Sequence, residues 1–281
     1  MLELNHDLHQ ISGYTAEGQL NRNGSIFDTT AAGFERHRSL PNEVVEAIRP
    51  AIRAAVHLPD HAYVLDLGAG TGRMSRSFIA AGDFYLGVDS SFAMLREFSD
   101  RPEIRQAKSY LLAQVEGRCL PFANAAFDLV LLMQVLSGAG NWREMLEETR
   151  RVLRPGGTIA VGHTVSSESG MDAQLKRQLA AILEEMQVPW HKPRESRQKA
   201  LGWLESVAVR HVHREAGSWK VMTSADEFMS RRRTGARFAA LPGAVQEQAL
   251  ERLHRWAEAE FGSIGSKLEE QRSFELDIFE F

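Results

Sequence analysis

A glycine-rich segment, Val64-Leu-Asp-Leu-Gly-Ala-Gly-Thr-Gly-Arg73, constrains the fold of this chain more than any other feature. A short apolar run ends in an acid, three glycines then alternate, and an amphipathic stretch begins at Met74. This order predicts a buried strand, a tight turn and a helix over Arg73–Ala81. Because glycine has no Cβ, alternate glycines let the backbone approach a ligand closely. The segment therefore predicts a binding loop, with the N–H groups of the helix start facing the ligand.

The glycine spacing distinguishes between two classes of ligand. The dinucleotide fingerprint reads G-x-G-x-x-G, whereas this loop reads G-x-G-x-G from Gly68 to Gly72. Asp66, two residues before the first glycine, would repel a pyrophosphate and attract an ammonium group. S-adenosylmethionine carries an ammonium group, a carboxylate and a ribose, and no phosphate. The loop favours this cofactor, and a dinucleotide site or a purely structural turn remains the alternative.

Further candidate ligand contacts follow the next two predicted strands. Asp89 lies 21 positions after Gly68, the distance at which an acid meets ribose hydroxyls in nucleotide-binding folds. This acid suits NAD and S-adenosylmethionine equally. Alternatively, Asp89 has no ligand and only caps the following helix. Met94 is either a core residue or a polarisable neighbour of an adenine ring. Glu116 could accept from an adenine amino group or could simply be solvated.

Composition excludes several classes of protein. A net charge of −4 argues against a general nucleic-acid-binding surface. The single cysteine, Cys119, excludes an internal disulfide and suits a reducing compartment. The chain has no recognisable signal peptide, no apolar run of about 18 residues and no Cys/His cluster with metal-ligand spacing. We expect a cytoplasmic protein without a metal, a membrane partner or a nucleic-acid partner.

Strands and helices alternate along residues 43–163, which predicts an α/β fold with right-handed crossovers and a parallel sheet. Pro50 predicts a kink or break in the first of the core helices. After residue 166 helices predominate between two further strands. The predicted strands are Tyr63–Leu67, Phe84–Val88, Tyr110–Val115, Phe127–Met133, Thr158–His163, Ser206–Arg214 and Ser273–Phe281. The predicted helices are Thr30–Arg38, Glu43–Val56, Arg73–Ala81, Ser91–Ser99, Trp142–Leu153, Asp172–Met186, Glu195–Leu204, a helix capped by Ser224 and Val245–Phe261.

Several motifs in this order resemble the class I S-adenosylmethionine-dependent methyltransferases of the UbiE-like group (methyltransferase 11). They are the glycine loop, Gly87-Val-Asp-Ser-Ser91 with Met94-Leu95, Leu120-Pro-Phe122, Phe127-Asp-Leu-Val130 and Arg151-Val-Leu-Arg-Pro-Gly-Gly157. The resemblance covers about residues 40–165. It implies a Rossmann-like, doubly wound, seven-stranded sheet with an antiparallel last strand, plus helical insertions. The implied organisation is a lead-in or lid over 1–40, a cofactor-binding core over 41–165, substrate-side insertions with the sixth strand over 166–260, and a closing strand over 261–281.

The resemblance also implies roles for individual residues. Asp66 and the glycines would hold the methionine part of the cofactor, Asp89 the ribose, and Glu116 with Gly117 the adenine. Gln134 would lie near the methyl group. The full set of expected cofactor-binding residues is Asp66, Gly68, Ala69, Gly70, Gly72, Arg73, Asp89, Ser90, Met94, Glu116, Gly117 and Gln134.

Two departures from the family pattern affect the site. Many relatives have Gly-Asp-Ala where this chain has Val115-Glu116-Gly117, so the adenine contact would be altered. Many have a histidine after the fourth strand, where this chain reads Leu136-Ser-Gly-Ala-Gly140. No catalytic residue is therefore assigned by resemblance, and His163, Gln134 and His37 remain the candidates.

The predicted function is methyl transfer from S-adenosylmethionine to a small molecule by a monomer or homodimer. An RNA or protein methyltransferase, a NAD-dependent oxidoreductase and a non-catalytic S-adenosylmethionine-binding protein are the alternatives. One motif stands outside the resemblance: the run Arg231-Arg232-Arg233 suits either an anionic substrate or RNA, or forms a solvated helix face.

Overall fold

The computed structural model describes residues 40–105, 107, 110–137, 141–189, 193–233 and 235–281, with the backbone alone at 193–194 and 236–237. Nearly all of the predicted lead-in, including the helix Thr30–Arg38 and the candidate His37, lies outside these residues. Within them the predicted alternation of strands and helices is present.

One seven-stranded sheet organises the chain, with strand order β3-β2-β1-β4-β5-β7-β6. Neighbouring strands from β3 to β5 run parallel, whereas β7 pairs antiparallel with both β5 and β6. The predicted fold class, including the antiparallel last strand, is confirmed. The strands are β1 (Tyr63–Leu67), β2 (Phe84–Asp89), β3 (Tyr110–Gln114), β4 (Phe127–Met133), β5 (Leu153–Ser166), β6 (Arg210–Thr223) and β7 (Leu268–Glu280).

Helices pack on both faces of the sheet, and others form a separate cluster. Those of the described residues are α1 (Asn42–Ala55), α2 (Arg76–Ala80), α3 (Phe92–Ser99), α4 (Pro102–Arg105), α5 (Trp142–Val152), α6 (Met171–Glu185), α7 (Pro193–Val207), α8 (Ala225–Arg233), α9 (Ala236–Ala239) and α10 (Gly243–Phe261).

Three local predictions differ from the structure. Helix α1 continues through Pro50, because Ile48 and Ile52 on either side of it are completely buried and hold the helix on the sheet. Helix α2 starts at Arg76, so the residues after the glycine loop form turns. The sixth strand starts at Arg210 and extends to Thr223, since residues up to Val207 belong to α7.

Two apolar layers enclose the sheet. On one face, α1 packs with residues of α2 and α3 over a cluster that includes Val64, Leu131 and Ile278. On the other face, α5 and α7 cover a cluster that includes Leu65 and Val161. The alternation of these strand residues between the faces follows the two-residue period of a strand. Burial of this core on both faces fixes the strand register at the carboxyl edge, where the candidate ligand residues lie.

The helices α6, α8, α9 and α10 form a lobe with its own apolar cluster. Its members come from the two segments predicted as substrate-side insertions, with Leu175, Phe228 and Leu253 completely buried. The capping role of Ser224 is confirmed, because its Oγ accepts from the N–H of Glu227 at 3.2 Å. No helix in the described part of the chain is both long enough and apolar enough to span a bilayer.

Candidate functional site

The three glycines of the loop have different roles, although all have positive φ angles. A Cβ on Gly68 would lie 2.5 Å from Val135, and one on Gly72 would lie 2.5 Å from Phe98. These two glycines are therefore required by packing within the protein. Among the described residues other than its chain neighbours, a Cβ on Gly70 would meet no atom closer than 4.0 Å, the nearest being a carboxylate oxygen of Asp89 and a backbone oxygen. Gly70 alone leaves open space beside an acidic side chain.

The backbone N–H groups of the first three loop residues donate to the end of β2. Those of Gly68 and Ala69 donate to the carbonyl of Val88, at 2.8 and 2.9 Å. The N–H of Gly70 donates to Asp89 at 2.9 Å. Because α2 begins only at Arg76, the prediction that a helix N-terminus faces the ligand is wrong. The glycines after β1 close a series of turns, so the backbone remains non-helical through this region.

Asp66 is buried at the end of β1 with one satisfied oxygen. The hydroxyl of Tyr85 donates to its Oδ2 at 2.5 Å. Its Oδ1 is buried and has no hydrogen-bond partner among the described residues. The pKa of Asp66 is raised from 3.8 to about 7, chiefly by burial; the bond from Tyr85 opposes this shift, and the charge of the nearby Asp89 adds to it. This oxygen is suited to accept from a cationic group.

Asp89 ends β2 and connects the loop with α3. Its Oδ2 accepts from Gly70, and its Oδ1 accepts from the N–H of Ser91 at 2.8 Å. The helix cap itself is Ser91, whose Oγ accepts from the N–H of Met94. The Oδ2 of Asp89 also borders the open space at the Cβ position of Gly70, where ribose hydroxyls would approach.

A pair of substitutions separates a ligand-binding Asp89 from a purely structural one. We expect Asp89→Ala to weaken S-adenosylhomocysteine binding by about 1.5–3 kcal/mol, the range for hydrogen bonds to charged groups. Ser91→Ala removes the cap and should lower the free energy of unfolding by about 1 kcal/mol with little change in affinity. Calorimetric titration and urea denaturation of both variants provide the measurements. Unchanged affinity in folded Asp89→Ala would show that Asp89 serves only the loop.

The predicted adenine-side residues are in different environments. Met94 is buried on α3, and Ser90 is exposed with its carbonyl bound by the side chain of Gln114. Glu116 is exposed and forms an ion pair with Arg118 at 3.3 Å. A Cβ on Gly117 would lie 3.2 Å from Leu67, so this glycine packs against the end of β1.

Gln134 lies immediately after β4 in a left-handed backbone conformation, with a φ of 62°. Its Oε1 accepts from Arg73 at 3.2 Å, and its Nε2 donates to the hydroxyl of Thr164 at 2.9 Å. Its backbone N–H donates to the carbonyl of Gly162 at 2.7 Å. The structure therefore joins the predicted residues Arg73 and Gln134 and orients the amide from both ends. Such strain in a residue held on several sides is typical of functional positions.

His163 lies on β5 and pairs in register with Glu275 of β7. Its Nδ1 is buried without a partner among the described residues. Burial lowers its pKa to about 4, and the positive charge of Arg197 contributes in the same direction. The imidazole is thus neutral at pH 7 and a weak base, which disfavours it as a general base at that pH.

Three residues that support this site carry no motif in the sequence. They are Tyr85 beneath Asp66, Thr164 beside Gln134, and Arg101, whose Nε donates to the carbonyl of Thr71 at 2.5 Å. Only the strand register reveals the first two: Val64 pairs with Tyr85, and β5 continues past the predicted end of the strand to Ser166. Among the described residues no group of three His, Cys, Asp or Glu side chains is placed to hold a metal ion.

Comparison with known proteins shows a family match over the part of the chain that contains most of these residues. Residues 65–161 match the family described as "Methyltransferase domain". This segment is similar to known methyltransferase domains. The resemblance seen in the sequence motifs is thereby confirmed. The methyltransferase domain contains most of the glycine loop, Asp89 and Gln134, while the lobe lies outside the matched residues.

Two curated relatives show how far the similarity extends. Malonyl-[acyl-carrier protein] O-methyltransferase of Salmonella typhimurium is 34% identical over 136 residues, which are 48% of this chain and 51% of that protein. Demethylmenaquinone methyltransferase of Streptomyces griseus is 30% identical over 150 residues, 52% of this chain and 61% of that protein. The chain thus spans about half to three fifths of these relatives.

Solved structures support the same fold over a larger part of the chain. The YcgJ protein of Bacillus subtilis aligns with a TM-score of 0.52 at 17% identity, covering 81% of this chain and 94% of that one. Phosphoethanolamine N-methyltransferase 2 of Haemonchus contortus aligns with a TM-score of 0.51 at 13% identity, covering 90% of this chain and 57% of that one. At these identities the likeness concerns the fold.

Proposed function

We propose that the protein transfers a methyl group from S-adenosylmethionine to a small-molecule acceptor. The open space at the Cβ position of Gly70, next to the carboxylate of Asp89, is the observation that carries this proposal. A cofactor that approaches the loop there would place its ribose against Asp89. The matched methyltransferase domain and its curated relatives support the reaction class.

The remaining predicted contacts fit the cofactor in the following way. The unpartnered Oδ1 of Asp66 would accept from the ammonium group of the methionine part, with Gly68, Ala69, Gly72 and Arg73 around it. The polarisable side chain of Met94 and the loop at Glu116 and Gly117 would lie towards the adenine. Ser90 would flank the ribose, and Gln134 would face the reacting end.

S-adenosylmethionine supplies an electrophilic methyl group when bound, so the protein has to align the acceptor and exclude water. Gln134 is a neutral amide, and we propose that it orients the acceptor. Its bonds to Arg73 and Thr164 hold the amide group in a fixed direction. His163 has a pKa of about 4 and an enclosed Nδ1, so it is a poor base at pH 7. The site therefore favours an acceptor atom that is nucleophilic without deprotonation by the protein.

Binding and turnover test the proposal separately. Calorimetry should show that S-adenosylmethionine and S-adenosylhomocysteine bind, and that NAD binds far more weakly. Transfer of labelled methyl groups should then be measured with small acceptors, beginning with a malonyl thioester and a demethylated quinone, the acceptor types named for the relatives. Tighter binding of NAD would contradict the cofactor. Binding without transfer to any acceptor would indicate a non-catalytic S-adenosylmethionine-binding protein.

The partners and the location of the protein are also part of this proposal. We propose a small-molecule acceptor with no nucleic-acid partner, a monomer or homodimer, and a cytoplasmic location. The net charge of −4 supports the lack of a nucleic-acid partner, and the single cysteine supports the cytoplasmic location.

A further inference from the structure

A cluster of charged side chains lies where the lobe meets the sheet. It contains four cationic residues and two carboxylates, drawn from α6, α8 and β7. Its members are Asp172, Lys176, Arg231, Arg232, Glu270 and Arg272. These residues are called the lobe cluster below. The prediction of a solvated arginine face on α8 is wrong for Arg231 and Arg232, since both are largely covered, whereas Arg233 is exposed.

The two carboxylates of the lobe cluster are already engaged. Asp172 accepts from Arg231, and it lies 3.5 Å from Lys176 and 3.6 Å from Arg272. Glu270 accepts from the N–H of Asp172 at 2.7 Å and from Arg272 at 3.3 Å. Both carboxyl groups are almost fully buried. Each therefore already serves more than one donor, and they leave the cluster with an excess of positive charge.

Arg232 carries much of that excess. Its guanidinium lies over the ring of Phe228, 4.8 Å from the centroid, and its Nε is buried without an acceptor among the described residues. The Nε of Arg272 is likewise buried without an acceptor there. Burial lowers the pKa of Arg232; the charge of Asp172 opposes this shift without cancelling it, and the charge of Arg231 adds to it. Buried cations without enough counter-charge are costly, because the lost hydration is not replaced.

The lobe cluster is close to the proposed reacting end of the cofactor. Thr164, which holds Gln134, and Ser166 lie two residues apart on one face of β5, about 7 Å along the strand. In the register with β7, Thr164 pairs with Phe274 and Ser166 pairs with Arg272. The cluster thus begins at the pair Ser166–Arg272, two positions along the strands from the pair Thr164–Phe274. Thr164 in turn holds the Gln134 amide that we place beside the methyl group.

We propose that the lobe cluster binds an oxyanion, a carboxylate or phosphate group carried by the methyl acceptor. The bound anion would supply the missing negative charge and would accept from Arg232 and Arg272. A planar guanidinium group can donate two parallel hydrogen bonds to a carboxylate or phosphate group, which makes arginine well suited to bind these anions. The identity of the anion's carrier rests on the proposed function, whereas the anion site itself does not.

The probes for the anion site are inorganic phosphate and malonate. Each is titrated separately at constant ionic strength, with sodium chloride as the balancing salt. Thermal denaturation and calorimetry should show saturable stabilisation of the wild-type protein. Arg232→Gln should weaken anion binding by about tenfold or more, the effect of losing one charge-assisted hydrogen bond. Arg233→Gln makes the same change of charge on the exposed side of the same helix and should bind like wild type. A preference for one probe assigns the acceptor's anion as phosphate or carboxylate.

Two further measurements keep the outcomes distinct. Lys176→Gln alters a half-exposed member of the cluster and should also weaken anion binding, so the test does not depend on the folding of Arg232→Gln. S-adenosylhomocysteine affinity, measured on the same samples, should be unchanged in all three variants. Lack of saturable stabilisation of the wild type, or equal binding by Arg232→Gln and Arg233→Gln, would overturn the anion site. Failure of wild type to bind S-adenosylhomocysteine would instead overturn the proposed function.

Discussion

Gly70→Val is expected to abolish detectable binding of S-adenosylhomocysteine while the protein remains folded. The valine side chain would fill the open space beside Asp89, where the proposed cofactor approaches the loop. The Cβ itself would displace none of the described residues, because outside the chain neighbours none of their atoms lies closer than 4.0 Å to its position. The positive φ of 55° adds a backbone cost of about 1–2 kcal/mol. Calorimetric titration and circular dichroism are the measurements.

Gly156→Val is a matched control for the backbone strain. Gly156 has a φ of +76°, and a Cβ there would meet nothing within 4 Å. It lies at the other end of the sheet, where its N–H donates to the carbonyl of Phe281. This variant should lose similar stability and keep its affinity for S-adenosylhomocysteine. Normal affinity in folded Gly70→Val would rule out the loop as the cofactor site.

The stability of the ligand-free protein should fall as the pH rises from about 4 to 7 through the titration of Asp66. The pKa of this group is raised from 3.8 to about 7 in the folded state. The folded protein therefore retains a proton that the unfolded chain has lost, so the contribution is present below pH 4 and disappears at about pH 7. The shift of about three pKa units corresponds to about 4 kcal/mol.

Asp66→Asn isolates this contribution, because the amide does not titrate. Urea denaturation at pH 5 and pH 7.5 should show a loss of about 2–3 kcal/mol in wild type relative to the variant. If the cofactor's ammonium group meets the ionised Asp66, binding should release a proton below pH 7 and strengthen with rising pH. Calorimetry in buffers of different ionisation enthalpy measures that proton. Identical pH dependence in both proteins would contradict this account.

The sequence predicts the sheet well because its strands are short apolar runs with turn signals between them. The glycine spacing and Asp89 also identify a loop whose geometry suits the cofactor. The helix start at Arg73 is predicted wrongly, since periodicity does not reveal that three turn residues follow Gly72 before the helix begins. The contact of Tyr85 with Asp66 depends on strand register, which composition does not encode.

The charged run on α8 shows a different limit of sequence reasoning. Three successive arginines point in different directions on a helix, so the run contains both buried and exposed members. Which of them is buried depends on the packing of α6 and β7 against α8, and these elements are distant in the chain. The charge imbalance of the lobe cluster therefore becomes visible only in the folded structure.

The construction of the lobe has a consequence for the order in which the molecule assembles. Its apolar cluster joins residues 171–185 with residues 225–261, and strand β6 lies between these segments in the chain. The two halves meet only when the connection that contains α7 and β6 has closed, and the entropy of closing this long connection has to be overcome first. We expect the acceptor side to mature after the nucleotide side during folding and to exchange its amide hydrogens sooner. A nascent chain would then acquire the proposed cofactor pocket before the lobe that we propose selects the methyl acceptor.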